Sequence, residues 1–209
     1  MNPEQDLSGI TQDGMSVHPD WNHIETLTIQ PGSDTLILVP CHALLKSETN
    51  VKSPEFDPML NKSWSLNEFQ DQDEVRLMIE HIRVGVLSCA RIQNSILVFS
   101  GGCTRVEGEG WTEGASYYAV ADFYDWWMAE TKLPLHEIKA RAFVDVFAFD
   151  SMDNLWMSIR LFQIAHPRKE VPKKVIVINY TFKKKMYELH AKILGIPEFE
   201  FIGLEDPAN

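Results

Sequence analysis

Apolar residues in this chain follow two rhythms. Short, largely apolar runs at 35–39, 95–99, 142–148, 175–178 and 199–202, broken only by Asp145 and Glu200, are rich in β-branched, leucine and aromatic side chains. Such runs suit strands covered on both faces of a parallel sheet. Between them, apolar positions recur every three or four residues. Over 72–92, Val75, Met78, Ile79, Ile82, Val86, Cys89 and Ala90 share one helical face. Over 113–130, Ala115, Tyr118, Ala119, Phe123 and Trp126 do the same. Leu155, Ser158, Ile159 and Phe162 mark a helix that closes before Pro167, and Phe182, Met186, Leu189 and Ile193 mark another that stops at Gly195. Strands alternating with amphipathic helices predict an α/β fold with a mostly parallel sheet of about five strands and right-handed crossovers.

Ligands in open α/β sheets bind beyond the carboxyl ends of the strands, and the polar residues here gather at those ends. His42 follows the first run, Ser100 to Thr104 the second, Asp150 and Ser151 the third, and Asn179 to Thr181 the fourth. The second is the most distinctive: a buried run gives way to Ser100-Gly101-Gly102, then a glycine-containing loop leads to a helix opening at Thr112-Glu113. Ser100, Gly101, Gly102 and Thr104 are expected to form a backbone cradle, the glycines permitting close approach of a ligand. The stretch has neither the Gly-Lys-Ser/Thr of a phosphate loop nor the Gly-x-Gly-x-x-Gly of a dinucleotide fold, so it names no cofactor.

Glu113, Asp150 and His42 are the candidate acid–base residues. Each has a plainer alternative: Glu113 complements a helix dipole, Asp150 or Ser151 caps a helix, and His42 is held inside a loop. Asn154 falls in a first helical turn, where it can face the cavity. Lys183-Lys184-Lys185 opens a helix against the dipole. An anionic ligand near Thr181 and Lys183 would offset that, so a phosphorylated or carboxylate-bearing molecule is the expected partner. Ser100 lacks the Gly-x-Ser-x-Gly frame, and no Ser-His-Asp set is legible.

Charge and composition narrow the setting. Across 209 residues the formal net charge is −11, which argues against a nucleic-acid or anionic-membrane surface. The cysteines, Cys41, Cys89 and Cys103, cannot all pair and lack zinc spacing, so no metal is expected and a reducing cytoplasm is. No stretch reaches the ~18 apolar residues of a membrane span, and residues 1–30 lack the features of a secretory signal. Residues 1–33 read as a polar lead-in fastened by Trp21, Ile24 and Leu27, and 34–209 as a single domain. The polar stretch at 43–70 is either a lid or a surface insertion anchored by Trp64.

Val39-Pro-Cys-His42, Phe99-Ser-Gly-Gly-x-Thr-Arg105, Glu113-x-Ala-x-Tyr117, Asp150-Ser-x-x-Asn-Leu155, Phe182-Lys183 and Leu189-His190 together resemble the domain-of-unknown-function family typified by the bacterial proteins YdcF and SanA. Trp64-x-Leu66 and Gln70 bring the chain nearest that family's eukaryotic and fungal branch. Two departures stand out: Cys41 where that branch more often has Gly, and Phe149-Asp150 where Arg-Asp is usual. The resemblance implies a three-layer Rossmann-like domain and, from a bacterial relative, S-adenosylmethionine binding. The function expected is a small-molecule enzyme or nucleotide-type binder with its site at the strand ends. The alternative is a non-catalytic ligand sensor or interaction protein using the same crevice.

Overall fold

The computed structural model of the chain describes residues 29–205 apart from 69, 71 and 106–109. The anchors expected at Trp21, Ile24 and Leu27, and most of the glycine-containing loop before Trp111, lie outside these residues. Five parallel strands form one sheet: β1 (Thr35–Pro40), β4 (Ser95–Ser100), β5 (Ala142–Asp145), β6 (Lys174–Tyr180) and β7 (Glu198–Leu204), in the order β5-β4-β1-β6-β7. Alternate residues of the central strands enter two separate cores. Ile37, Val39, Leu97, Phe99, Ile176 and Ile178 pack with helices α1 (Gln72–Arg91) and α2 (Glu113–Phe123) on one face. Leu36, Leu38, Ile96, Val98, Val175 and Val177 pack with α5 (Ser151–Ala165) and α6 (Lys184–Leu194) on the other. This is the three-layer α/β arrangement that the apolar runs of the central strands demand, since β1 and β4 are buried on both faces while the edge strand β7 keeps exposed residues.

Three local expectations change. The helix expected over 113–130 breaks after Phe123: Asp125, Trp126 and Trp127 take left-handed backbone before the short helix α3 (Met128–Thr131). The break lets Trp126 bury completely while its indole N–H donates to Asp122 Oδ1 at 2.6 Å. A further helix, α4 (Leu135–Lys139), leads into β5, which is shorter than its apolar run because 146–149 turns away from the sheet. Of the apolar stripe expected to bury α6, Met186 packs against the core but Phe182 66%, Leu189 56% and Ile193 63% are exposed, while Tyr187 and Ala191 are buried. Gly195 ends α6 with φ 65°, the left-handed cap expected of it.

The 43–70 stretch carries a two-strand antiparallel ladder, β2 (Leu44–Leu45) with β3 (Trp64–Ser65). Trp64 is 1% exposed and its indole donates to the Pro58 carbonyl at 2.8 Å. Leu45 N–H donates to Ser116 Oγ on α2 at 2.9 Å. The Leu45 bond thus fastens the ladder to α2, while the Trp64 bond braces the insertion internally.

Candidate functional site

The chain leaves β1 for β4 on one side of the sheet and later returns to β6 on the other, so the strand order reverses between β1 and β6. Diverging connections open a crevice at such a point. A cavity of about 350 Å³ lies there, lined by His42, Thr104, Arg105, Glu113, Asp150, Ser151, Asn154, Lys183 and Tyr187, with Cys41, Asn67 and Phe149 among its other walls. Seven of the residues singled out in the sequence thus share one cavity: His42, Thr104, Glu113, Asp150, Ser151, Asn154 and Lys183.

His42 and Lys183 form its most constrained part. Tyr180 N–H donates to Asn179 Oδ1 at 2.7 Å, which fixes that amide's orientation. His42 Nε2, 2.8 Å from the same oxygen, must then carry the ring proton. Its Nδ1 lone pair accepts from Lys183 Nζ at 3.3 Å. Burial pushes the His42 pKa well below its ordinary value, and Lys183 and His81 push it further down. His81, stacked on His42 with ring centroids 5.4 Å apart, donates to the Ile178 carbonyl and is held neutral, with a pKa lowered to about 4 by burial. Burial also lowers the Lys183 pKa, against the pull of Glu113 and Glu74. Among the described residues no carboxylate reaches Lys183 within ion-pair distance.

Glu113 faces this pair from the first turn of α2. Thr104 Oγ1 donates to its Oε1 at 2.6 Å. Desolvation raises the Glu113 pKa, while Thr104, Arg105 and Lys183 counter that rise. Arg105 spends its donors on neutral groups: the Ser65 carbonyl, the His42 carbonyl at 3.3 Å and Gln70 Oε1 at 3.1 Å. It ties the 43–70 insertion to the site and adds a second cation to the wall. Cys41 is buried, with burial and then Glu113 and Asp145 raising its pKa well above normal, so its thiol stays protonated.

The glycine turn is corrected. A Cβ on Gly102 would stand 2.9 Å from the Ala148 carbonyl oxygen and 3.1 Å from that of Val146. One on Gly101 would meet Glu113 at 2.7 Å and Cys41 at 3.2 Å. The space belongs to the protein. The amides are also taken, Gly101 N–H by the Asp145 carbonyl at 3.0 Å and Gly102 N–H by that of Ala148 at 2.7 Å. Their carbonyls accept from Gly114 and Glu113. The turn therefore seats α2 and aims Glu113; it is not a cradle for a ligand. Ser100 is fully buried and donates to Asp145 Oδ2 at 2.7 Å, outside the cavity wall. Thr181 also falls outside, donating to the Leu204 carbonyl at 3.0 Å. The physical reason is common to all four: strand-end polar groups pair with the neighbouring strand or loop wherever one is in reach.

At the start of α5, Asp150 Oδ1 accepts from Met152 and Asp153 N–H, each at 2.8 Å. The capping alternative thus holds for Asp150, which also lines the cavity. Asn154 Nδ2 donates to the Asp150 carbonyl at 2.7 Å, and its Oδ1 is buried with no partner among the described residues. Ser151 Oγ lies 2.9 Å from His190 Nε2 on α6. Sequence spacing hid this contact, because the two residues stand 39 positions apart on separate helices. Arg105, Asn179 and Tyr187 were also missed as site residues. Arg105 directly follows Thr104 in the singled-out turn, and Asn179 ends a run of four buried apolar residues, so both carried a signal; Tyr187 carried none.

Across curated proteins, the chain is 27% identical to the uncharacterized protein YOR238W of Saccharomyces cerevisiae over 209 aligned residues. The match covers 83% of this chain and 68% of the yeast protein, whose name assigns no activity. No family model matches, and no solved structure does. Among the described residues, no helix is long and apolar enough to cross a membrane.

Proposed function

We propose that the cavity at the β1/β6 switch point binds a small molecule bearing a phosphate or carboxylate, which Lys183 and His42 engage while Glu113 accepts a hydroxyl or amine. The observation that carries this reading is the Lys183 ammonium. It is partly desolvated, hydrogen-bonded to a neutral imidazole and out of ion-pair reach of every described carboxylate. A cation so placed gains from an anion supplied by a ligand. S-adenosylmethionine meets this chemistry through its carboxylate at Lys183 and its ammonium at Glu113; a nucleotide or sugar phosphate meets it through phosphate. Glu113, raised in pKa and facing the cavity, is the general base if the ligand is turned over. Membership of the YdcF/SanA-like family belongs to the same proposal. So does a reducing cytoplasmic setting, supported by the free thiols of Cys41, Cys89 and Cys103.

Thermal shifts with nucleotides, sugar phosphates and S-adenosylmethionine, in low and high salt, test the reading. Anionic compounds should stabilise the protein, and less so as salt rises. Lys183→Met should weaken that binding at least about tenfold, whereas the exposed Lys185→Met should not. Stabilisation by neutral compounds alone, or an unchanged Lys183→Met affinity, would remove the anion site. Glu113→Gln then separates enzyme from sensor: loss of turnover at kept affinity marks an enzyme, loss of affinity alone a sensor.

A further inference from the structure

The contact between Ser151 and His190 has a chemical meaning beyond ligand binding. Ser151 opens α5, lines the cavity and is half-buried, so its hydroxyl is both positioned and reachable. Its proton goes to the Met186 thioether at 3.3 Å or, in the tautomer with the ring proton on Nδ1, to His190 Nε2 at 2.9 Å. The imidazole nitrogen is much the stronger base and the closer. Asp150 engages the amides of Met152 and Asp153, but among the described residues the Ser151 amide has no acceptor. A hydroxyl beside an imidazole, with a free N–H at the positive end of a 15-residue helix, is the equipment of nucleophilic acyl transfer.

We propose that Ser151 is a nucleophile and His190 its general base, acting on a carboxylic ester of a small anionic molecule. Asp150 beside Ser151 disfavours a multiply charged phosphoryl group at the reacting atom, whereas a neutral ester carbonyl meets no such repulsion. The anionic end of the acyl part lies toward Lys183. In the first step the Ser151 Oγ–C bond forms, its proton passes to His190 Nε2, and the carbonyl π pair moves onto oxygen. Collapse breaks the ester C–O bond, and the alcohol leaves with the proton from His190. Water, deprotonated by the same ring, then attacks the acyl-serine and releases the acid and the free hydroxyl. His190 Nδ1 is buried without a hydrogen-bond partner among the described residues, so no carboxylate orients the ring. The pair is a dyad, slower than a triad for that reason.

Ser151 lines the cavity of the reading above, but the dyad does not need its anion, and a neutral probe separates the two. The full-length protein is treated with diisopropyl fluorophosphate, which places its phosphoryl group on an activated serine and expels fluoride. Peptide mass spectrometry should find the adduct on Ser151, with none in Ser151→Ala. Labelling should be roughly 100-fold slower in His190→Gln, as for loss of a general base. Lys185→Met, on the exposed face, should label at the parent rate, while Lys183→Met should lose any preference for 4-nitrophenyl hemisuccinate over 4-nitrophenyl acetate. Absence of an adduct on Ser151 in the parent, or a His190→Gln variant that labels as fast as the parent, overturns the dyad. Site mapping in the parent requires no variant to fold.

Discussion

The ends of β4 and β6 carry similar cargo, a polar turn after a buried apolar run, and meet opposite fates. After β4, every group that looked free is used by the protein itself. Ser100 pairs with Asp145, both glycine amides find carbonyls, and the space over each glycine is filled. After β6, Asn179 Oδ1 accepts from His42 and from the Tyr180 amide, but Asn179 Nδ2 is buried with no partner among the described residues. Lys183 leans on a neutral ring in a polar cavity. β4 is an interior strand on the side where chain connections crowd, whereas β6 borders the switch point where they diverge. A glycine turn after a buried strand therefore reports chain packed on chain here, and a lysine with no carboxylate in ion-pair reach among the described residues reports the crevice.

The sharpest way to break this contrast is Gly102→Val. Its Cβ would press on two backbone carbonyls, which cannot rotate aside, and would strain the 2.7 Å bond from Gly102 N–H to Ala148. The expected loss is about 3 kcal/mol of stability, read by urea unfolding. A variant that unfolds like the parent but no longer binds anions would return the turn to the ligand.

The β1/β6 side can be probed through pH. His81 and His42 both have folded pKa values below 6.5, His81 at about 4. As pH falls below 6.5 the unfolded chain takes up protons that the folded chain refuses, so stability is full above that pH and drains away toward pH 4. His81 alone accounts for about 3 kcal/mol over that window. Glu113 and Asp145, with pKa values raised by burial, act in the opposite sense by accepting protons earlier in the fold, and blunt the loss at its acid end. Unfolding midpoints at pH 7, 6 and 5 should fall steadily in the parent and less in the His42→Gln, His81→Gln double variant. Parallel slopes in the two proteins would mean that the stacked histidines do not resist protonation.

Much of this architecture was legible in the residues because the central strands carry short apolar runs and the helices between them are striped. The convergence of His42, Glu113, Asp150, Asn154 and Lys183 followed from the strand ends alone. What was hidden depended on pairings between distant segments. Nothing local shows that Ala148 will fill the space over Gly102, that α6 will bury Tyr187 instead of Phe182, or that His190 will reach Ser151 across two helices. The break after Phe123 was hidden for a related reason: burial of Trp126 outweighed the helical spacing around it.

The smallest effect tests where the crevice stops. Thr181 stands two residues from Lys183 and looked like part of the same site, yet its hydroxyl donates to the Leu204 carbonyl on the far side of β6. Gly203 packs so close that a Cβ there would approach Thr181 Oγ1 to 2.5 Å. The side chain thus belongs to the β6/β7 edge, which has no reversal of strand order and no crevice. Thr181→Ala removes one exposed hydrogen bond and should cost about 1 kcal/mol of stability. Affinity for an anionic ligand should stay within about twofold of the parent, against the large loss expected of Lys183→Met. Calorimetric titration of the two variants side by side makes the measurement. If Thr181→Ala weakened binding as much as Lys183→Met does, the ligand would reach past β6 and the boundary drawn between these two strand ends would be in the wrong place.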